Sequence, residues 1–159
     1  MGNGVGEIPV ALAQASPFLR VVSIDVLAVA RRTVAERGLA ARISLRSQDV
    51  AAWSDVGTHD LVYLPACFVP EDAVAAALPR ILMALRPGGW LVVAAHPAVG
   101  CPLGRAIWTW RQAGSGACAW DAPETVRRLW AAGYHQVRTV VPHPLVPALV
   151  VGSAPGECG

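Results

Sequence analysis

The apolar positions of the chain alternate between a helical repeat and short extended runs. Strand-like runs lie at 19–24, 43–45, 60–64 and 90–95, and helix-like runs lie at 7–15, 27–37 and 71–85. The run at 90–95 is the most apolar, which predicts a central strand. Strands that alternate with helices in this way are typical of an α/β fold with a parallel sheet.

The alternation changes in the last third of the chain. Residues 97–120 are rich in Gly, Pro, Ala and Trp without a clean period, and we interpret them as an insertion or lid. Asp121 is a suitable N-cap for a helix over 123–132. The final runs, 134–141 and 146–152, are joined by a link too short for a parallel crossover, so they predict an antiparallel hairpin.

Local signals add three expectations. Pro79 lies inside the helix-like run 71–85, where an interior proline costs about 3 kcal/mol and predicts a kink or a division. Residues 86–89, Arg-Pro-Gly-Gly, predict a turn before the central strand. Residues 1–153 are predicted to form one domain, followed by a disordered tail at 154–159.

Composition narrows the class of protein. The chain has 159 residues, 54% of them hydrophobic, and a mean hydropathy of +0.44. No apolar run approaches the roughly 18 residues that a membrane span needs, and no secretory signal opens the chain, so we expect a cytoplasmic protein without a membrane partner. The four cysteines form no Cys-x-x-Cys pair, which argues against zinc, any other metal site and a disulfide framework.

Charge excludes several kinds of chemistry. The net charge is +2, and the basic residues are scattered, so no nucleic-acid partner is indicated. All 13 basic residues are arginine. Without lysine the chain has no Walker A loop, no pyridoxal Schiff base and no catalytic lysine nucleophile.

A glycine loop opens the chain with Gly2, Gly4 and Gly6. Glycines turn tightly and let a ligand approach the backbone N–H groups. The dinucleotide pattern G-x-G-x-x-G wants a third glycine where Glu7 stands, so the spacing fits S-adenosylmethionine better than NAD. An ordinary glycine-rich turn is the alternative interpretation.

An acidic residue, Asp25, stands at the end of the next strand, where it is placed for a ribose diol. Together with Asp49 and the Pro-Gly-Gly turn, these features resemble the class I S-adenosylmethionine-dependent methyltransferases. The resemblance implies a Rossmann-like three-layer α/β sandwich, with a mostly parallel sheet and a C-terminal antiparallel hairpin. It implies that the cofactor S-adenosylmethionine is held by Gly2, Gly4, Gly6, Asp25, Asp49, Val50, Leu64 and Pro65.

The sequence departs from the family before the glycine loop. The family has a strand there that lies in the middle of the sheet and ends in an acid, whereas here only Met1 precedes Gly2. Without this strand, backbone N–H and C=O groups of the neighbouring strands would lack hydrogen-bond partners. Each such group that is buried costs about 1 to 3 kcal/mol of stability. We therefore expect a truncated product that binds the cofactor poorly, and micromolar binding in a calorimetric titration would contradict this expectation.

The acceptor side is less defined. The candidate acceptor-pocket residues follow the predicted strands 60–64 and 90–95; they are Phe68, His96, Trp108 and Trp110. His96 is the only suitable general base, although a capping or solvated histidine is the alternative. Cys67 is expected to be a small buried hydrophobe, and the tryptophans either line the pocket or seal the core.

The family's Asn-Pro-Pro-Tyr motif for amine targets is missing, since Leu64-Pro65-Ala66-Cys67 stands in its place. The resemblance therefore implies methyl transfer by in-line displacement to a small, fairly apolar acceptor, with a homodimer as an open option. Two alternatives remain: a degenerate methyltransferase-like domain without activity, and an NAD-dependent oxidoreductase, which lacks its usual lysine here.

Overall fold

The computed structural model describes residues 6–25, 30–96, 102–104, 106–107, 110, 116–140 and 147–156. The chain divides into an N-terminal unit, Met1–Ala52, and a C-terminal unit, Trp53–Gly159. Each unit contains its own sheet. Within the described ranges, no helix combines the length and the apolar character that crossing a bilayer requires.

The described part of the N-terminal unit alternates helices with strands. Its elements are α1 (Glu7–Ala15), β1 (Val21–Asp25), α2 (Ala30–Glu36), β2 (Ile43–Ser47) and a 3₁₀ turn at Val50–Ala52. The strands β1 and β2 pair in parallel, as expected for strands joined by a helix.

Helix α1 confirms the predicted bounds 7–15. Pro9 lies in its first turn, where a missing N–H removes no helical hydrogen bond. The buried face of α1 supplies Val10 and Ala13, which pack with Val34 and Ile43 in one apolar cluster. This cluster holds the two helices of the unit on its strands.

The C-terminal unit carries the larger sheet. Its described elements are β3 (His59–Leu64), a 3₁₀ turn (Ala66–Phe68), α3 (Glu71–Ala84), β4 (Leu85–Ala94), α4 (Ala122–Ala131), β5 (His135–Val140) and β6 (Leu149–Ser153). The strand order is β3-β4-β6-β5. The pair β3/β4 is parallel, and the pairs β4/β6 and β5/β6 are antiparallel. The predicted antiparallel hairpin and the predicted inner position of β4 are both confirmed.

The strands β3 and β4 present one buried face. Val62, Leu64, Leu91 and Val93 alternate along β3 and β4, and each is at most 6% exposed. Helix α3 packs on β4, and helix α4 packs on β5 and β6. Tyr134, at the start of the hairpin, is fully buried, and its hydroxyl donates a 2.8 Å hydrogen bond to the carbonyl oxygen of Leu78 in α3.

Two local predictions can be compared with the structure. Helix α3 continues through Pro79, which lies on its exposed side, so the predicted division into two helices is wrong. Residues 86–89 lie within the bounds of β4 but interrupt its pairing, which jumps from His59↔Leu85 to Leu61↔Trp90. Gly88 has φ +73°, and a Cβ on Gly89 would lie 2.9 Å from the carbonyl oxygen of Arg86, so the chain turns at the predicted position inside the range of the strand.

The boundary at the last strand also differs from the prediction. Ala154 donates its backbone N–H to the carbonyl oxygen of Gly89 at 2.7 Å, and Pro155 accepts from Gly88 at 3.2 Å. The ordered backbone therefore continues past 153, and residues 157–159 of the predicted tail lie outside the described residues. Most of the predicted insertion at 97–120 lies outside them as well, while residues 102–104, 106–107 and 110 are helical.

Candidate functional site

The carboxyl ends of β1 and β2 lie side by side in the N-terminal unit. Their parallel register pairs Asp25 with Ser47, the last residues of the two strands. Asp49 and Val50 follow two and three residues later, so three of the predicted cofactor residues lie at this edge. In open α/β sheets, ligands bind beyond the carboxyl ends of the strands.

The glycine loop meets the same edge through Gly6. Gly6 is the N-cap of α1 in the left-handed region, with φ +90°, and it makes no side-chain cap for the helix. A Cβ placed on Gly6 would lie 2.8 Å from the Cβ of Ala30, the first residue of α2. The amino ends of the two helices therefore touch at a position that only glycine fits. Gly2 and Gly4 lie outside the described residues.

The segment after β2 is a tight turn. The Oδ1 atom of Asp49 accepts a 2.9 Å hydrogen bond from the backbone N–H of Ala51, and Gln48 donates from Nε2 to the carbonyl oxygen of Ala52 at 2.9 Å. Val50 is 8% exposed. The turn fixes an acidic side chain next to a buried aliphatic one, and this arrangement suits a polar heterocycle with an apolar face.

Arg42, which was not among the predicted site residues, binds the opposite end of α1. Its Nη2 atom donates to the carbonyl oxygens of Ala13 at 2.7 Å, of Leu19 at 3.1 Å and of Ser16. These carbonyls lie at the end of α1 and in the link to β1. A guanidinium satisfies several carbonyls at once because its N–H groups form a fixed planar fork. The contact is nonlocal, and no periodic pattern predicts it.

The carboxyl ends of β3 and β4 form the corresponding edge of the C-terminal unit. Leu64 pairs with Val93 in the parallel register, and both Leu64 and the following Pro65 are fully buried. Phe68 is 60% exposed at the end of the 3₁₀ turn. Of the residues predicted here, Phe68 therefore presents a ring to solvent, while Leu64 and Pro65 contribute to the core.

His96 lies two residues beyond β4 and is half-buried. Its backbone N–H donates a 2.8 Å hydrogen bond to the carbonyl oxygen of Trp120, and the N–H of Cys118 donates to Val69 at 2.8 Å. The segment before α4 is thus anchored both to the end of β4 and to the turn after β3. His96 and Phe68 belong to the two chain segments that this anchoring connects.

The tryptophans differ in their surroundings. Trp120 is 6% exposed, its indole N–H has no hydrogen-bond partner, and the Arg128 guanidinium lies 4.8 Å from the centre of its ring. Trp110 is 77% exposed and Trp130 is 54% exposed, so neither seals a core. Trp108 lies outside the described residues.

The thiols near this edge are poor nucleophiles. Cys67 is 2% exposed, which confirms the expected burial, and this burial raises the pKa of its thiol to about 11. Burial likewise raises the pKa of the Cys118 thiol to about 11. Only a small fraction of either thiol is ionised at neutral pH. The described residues contain no group of three or more His, Cys, Asp or Glu side chains that could hold a metal ion.

A histidine and carboxylate pair occurs at the other end of β3. The His59 and Asp55 side chains lie 2.9 Å apart, and the His59 ring contacts buried Trp53 in a tilted arrangement, with 5.0 Å between ring centres. Neither residue was among those predicted from the sequence. The pair lies at the amino end of β3, away from the edge where ligands bind in such sheets, and joins the first residue of the strand to the segment before it.

No protein-family model matches the sequence, and no curated protein matches it. Several solved structures are similar to this chain. The S-adenosylmethionine-dependent methyltransferase SibL is 28% identical with a TM-score of 0.81, covering 97% of this chain and 49% of its own. PigF, solved with S-adenosylhomocysteine, is 24% identical with a TM-score of 0.80, covering 96% and 48%. The [4+2]-cyclase SpnF is 17% identical with a TM-score of 0.74, covering 98% and 73%.

The chain spans about half the length of SibL and PigF. The predicted cofactor agrees with these two structures, since one is S-adenosylmethionine-dependent and the other holds the demethylated cofactor. The predicted Rossmann-like fold is confirmed as well. The chain has the fold of the class I S-adenosylmethionine-dependent methyltransferases.

Proposed function

We propose that the chain binds S-adenosylmethionine at the carboxyl edge of β1 and β2 and transfers its methyl group to a small, fairly apolar acceptor. The observation that carries the proposal is the convergence of Gly6, Asp25 and the Asp49–Val50 turn at one edge of a parallel strand pair. The same edge is where the fold family's sequence pattern predicts the nucleoside.

The residues present fit the nucleoside half of the cofactor. Asp25, at the end of β1, is the acid for the ribose diol, and the Asp49–Val50 turn offers a carboxylate and an apolar side chain to the adenine. The first turn of α1 has no side-chain cap, so its backbone N–H groups are available to donate to the polar part of a ligand. When bound, the cofactor supplies a methyl group on a sulfonium that is already a good leaving group.

In-line displacement requires mainly that the protein align the acceptor with the methyl group. Exposed Phe68 and Trp110 support an acceptor with apolar faces. His96 is the candidate that removes a proton from an acceptor hydroxyl, because it is the histidine next to the carboxyl end of β4. Its contribution is optional where the acceptor is already a good nucleophile.

Calorimetric titration with S-adenosylhomocysteine tests the cofactor site. We expect Asp25→Asn to weaken binding by about 10-fold or more, because a charged hydrogen bond to a diol contributes about 1.5 to 3 kcal/mol. Asp60→Asn is the matched control, since Asp60 is 80% exposed and pairs with Arg86 on the surface. Equal affinity of Asp25→Asn and the unchanged chain would refute the assignment, and tighter binding of NAD would favour the oxidoreductase.

A domain without methyl transfer is the second candidate. It is favoured by the division of the described strands into two sheets and by SpnF, a cyclase with the same fold. Transfer of a labelled methyl group to a panel of small phenols and amines separates the two candidates. An active chain should lose activity towards phenols in His96→Gln, most strongly below the phenol's own pKa. Cofactor binding without transfer to any acceptor would support the second candidate.

A further inference from the structure

The two helices that pack on the larger sheet lie on the same side of it. Gly152 of β6 is opposite Leu91, so it belongs to the buried face of the sheet. A Cβ built on Gly152 would lie 3.5 Å from Leu129 of α4 and 3.2 Å from the Cβ of Tyr134. The Tyr134 hydroxyl in turn donates to Leu78 of α3. Both α3 and α4 therefore cover the buried face, and the alternate residues of the strands form the opposite face.

The strand registers show which residues share this opposite face. Leu61 of β3 pairs with Trp90 of β4, and Val92 of β4 lies opposite Val151 of β6. Val151 in turn lies opposite Arg138 of β5. Paired residues point to the same side of a sheet, and successive residues point to opposite sides. The large uncharged side chains of the opposite face are Leu61, Tyr63, Trp90, Val92, Val140 and Leu149.

The opposite face is apolar but incompletely covered. Leu91 and Val93 on the buried face of β4 are at most 1% exposed, whereas Val92, which lies between them in the strand, is half-buried. At the two sides of the sheet, Leu61 is 52% exposed and Val140 is 42% exposed. A sheet face that is meant for water usually carries polar side chains. A contiguous apolar surface is instead typical of a site that another element covers.

Arg138 gives the opposite face a positive charge. Its guanidinium lies 5.0 Å from the centre of the Trp90 ring, so the cation is held above the apolar surface. Arg138 is exposed, and no carboxylate among the described residues forms an ion pair with it. A partner that brings a carboxylate to this position would match the charge of the surface.

The dimensions of the opposite face suit one α-helix. The stretch of β4 that pairs with β6, Trp90–Ala94, is about 13 Å long, and four strands are about 14 Å across. A helix with its side chains is about 10 to 12 Å wide, and about 10 residues of helix span this length. Sheets in α/β folds are usually covered by helices on both faces. SibL and PigF also have about as much chain again beyond the part that aligns with this chain.

We propose that the opposite face of the larger sheet is a docking surface for an amphipathic helix of another polypeptide. The apolar stripe of that helix would lie on Leu61, Trp90 and Val92, and a carboxylate on its flank would pair with Arg138. The docked helix would add the missing layer over β3 and β4. These strands end beside the proposed acceptor site, but the docking itself requires neither cofactor nor methyl transfer.

Panning of a peptide library tests the surface. The library displays peptides of about 14 residues with leucine or phenylalanine at i, i+3, i+4 and i+7 and random residues elsewhere, and the target is the folded full-length chain. We expect the selected peptides to be helical when bound and enriched in Asp and Glu beside the apolar stripe. In NMR titrations of the isotope-labelled chain, the tightest peptide should shift the indole signal of Trp90 and the amide signals of β3 and β4 more than those of α3 and α4.

Exposed positions provide matched variants. Leu61→Asp should weaken binding of the selected peptide by about 10-fold or more, because it places a carboxylate against the apolar stripe. Met83→Asp should leave the affinity unchanged, since Met83 is 54% exposed but lies on α3. Arg138→Glu should also weaken binding, and exchange of the peptide's acidic residue for arginine should restore it. Arg80→Glu, on the exposed side of α3, is the control for the change of charge.

Three results would overturn the proposal. The first is a library that yields no helical binder. The second is a selected peptide that shifts mainly the signals of α3 or α4, or that loses as much affinity in Met83→Asp as in Leu61→Asp. The third is a chain that sediments as a dimer and becomes a monomer in Leu61→Asp, because a second copy would then occupy the face. Circular dichroism checks that every variant is folded before its affinity is compared.

Discussion

Gly6→Ala is expected to destabilise the N-terminal unit by about 2 to 5 kcal/mol. A non-glycine residue in the left-handed region costs about 1 to 2 kcal/mol, and Gly6 has φ +90°. The new Cβ would also lie 2.8 Å from the Cβ of Ala30, so α1 and α2 must separate, which typically costs about 1 to 3 kcal/mol. The two contributions have different causes and are separable by experiment.

Gly38→Ala is the matched control. Gly38 has φ +67°, but nothing lies within 4 Å of the position of a new Cβ. The control should therefore lose only the conformational contribution of about 1 to 2 kcal/mol. Adding Ala30→Gly to Gly6→Ala removes the closest contact and should recover about 1 kcal/mol or more beyond additivity.

Urea unfolding followed by far-ultraviolet circular dichroism measures these differences. Tryptophan fluorescence is unsuitable, because all six tryptophans belong to the C-terminal unit. Equal losses for Gly6→Ala and Gly38→Ala, or a double variant without any recovery, would refute the close contact of the two helix ends. A destabilised Gly6→Ala that still binds S-adenosylhomocysteine with unchanged affinity would separate packing from cofactor binding.

Three further predictions concern the C-terminal unit. Tyr134→Phe should lower the free energy of unfolding by about 1 to 2 kcal/mol, since it removes the buried hydroxyl that donates to Leu78, and an unchanged urea midpoint would contradict this. Asp121→Ala should cost about 1 kcal/mol through loss of the cap on α4, whereas Asp121→Asn should keep most of it; equal thermal melts of both variants would count against the cap. Stability should be complete below pH 9 and fall as the pH rises towards 11, because the Cys67 and Cys118 thiols have pKa values of about 11 in the folded chain and 9.0 when unfolded. Each contributes on the order of 2 to 3 kcal/mol, so replacing both by Ala should flatten the decline in urea midpoint between these pH values.

The sequence predicted the elements whose cause is local. Helix α1 has the expected bounds because Pro9 and the apolar repeat both act within one or two turns. The unbroken α3 was not predicted, because the cost of Pro79 is outweighed by the tertiary burial of residues such as Val74 and Ile81, which are fully buried. Burial of that kind depends on which strands the helix packs against, and a single segment of sequence does not show it.

The candidate site also combines positions that local sequence predicts with contacts that depend on the folded chain. Asp25 and Asp49 could be predicted because strand ends are readable from apolar runs, and the register of β1 and β2 brings their ends together. Arg42 binds carbonyls 23 to 29 residues away, and Cys118 donates its N–H to the carbonyl oxygen of the distant Val69. Contacts of this kind depend on the folded path of the chain, so composition and spacing gave no sign of them.

The strand order of the larger sheet has a consequence for biosynthesis. β6 is made last among the described strands, yet it lies between β4 and β5, with Ala94 opposite Leu149 and Trp90 opposite Ser153. During synthesis, more than 50 residues must therefore be added after β4 before β6 is available to pair with it. During that interval the most apolar strand has one open edge, and open apolar edges recruit other chains. Nascent chains that stall before residue 149 should consequently depend on chaperones far more than the completed protein does.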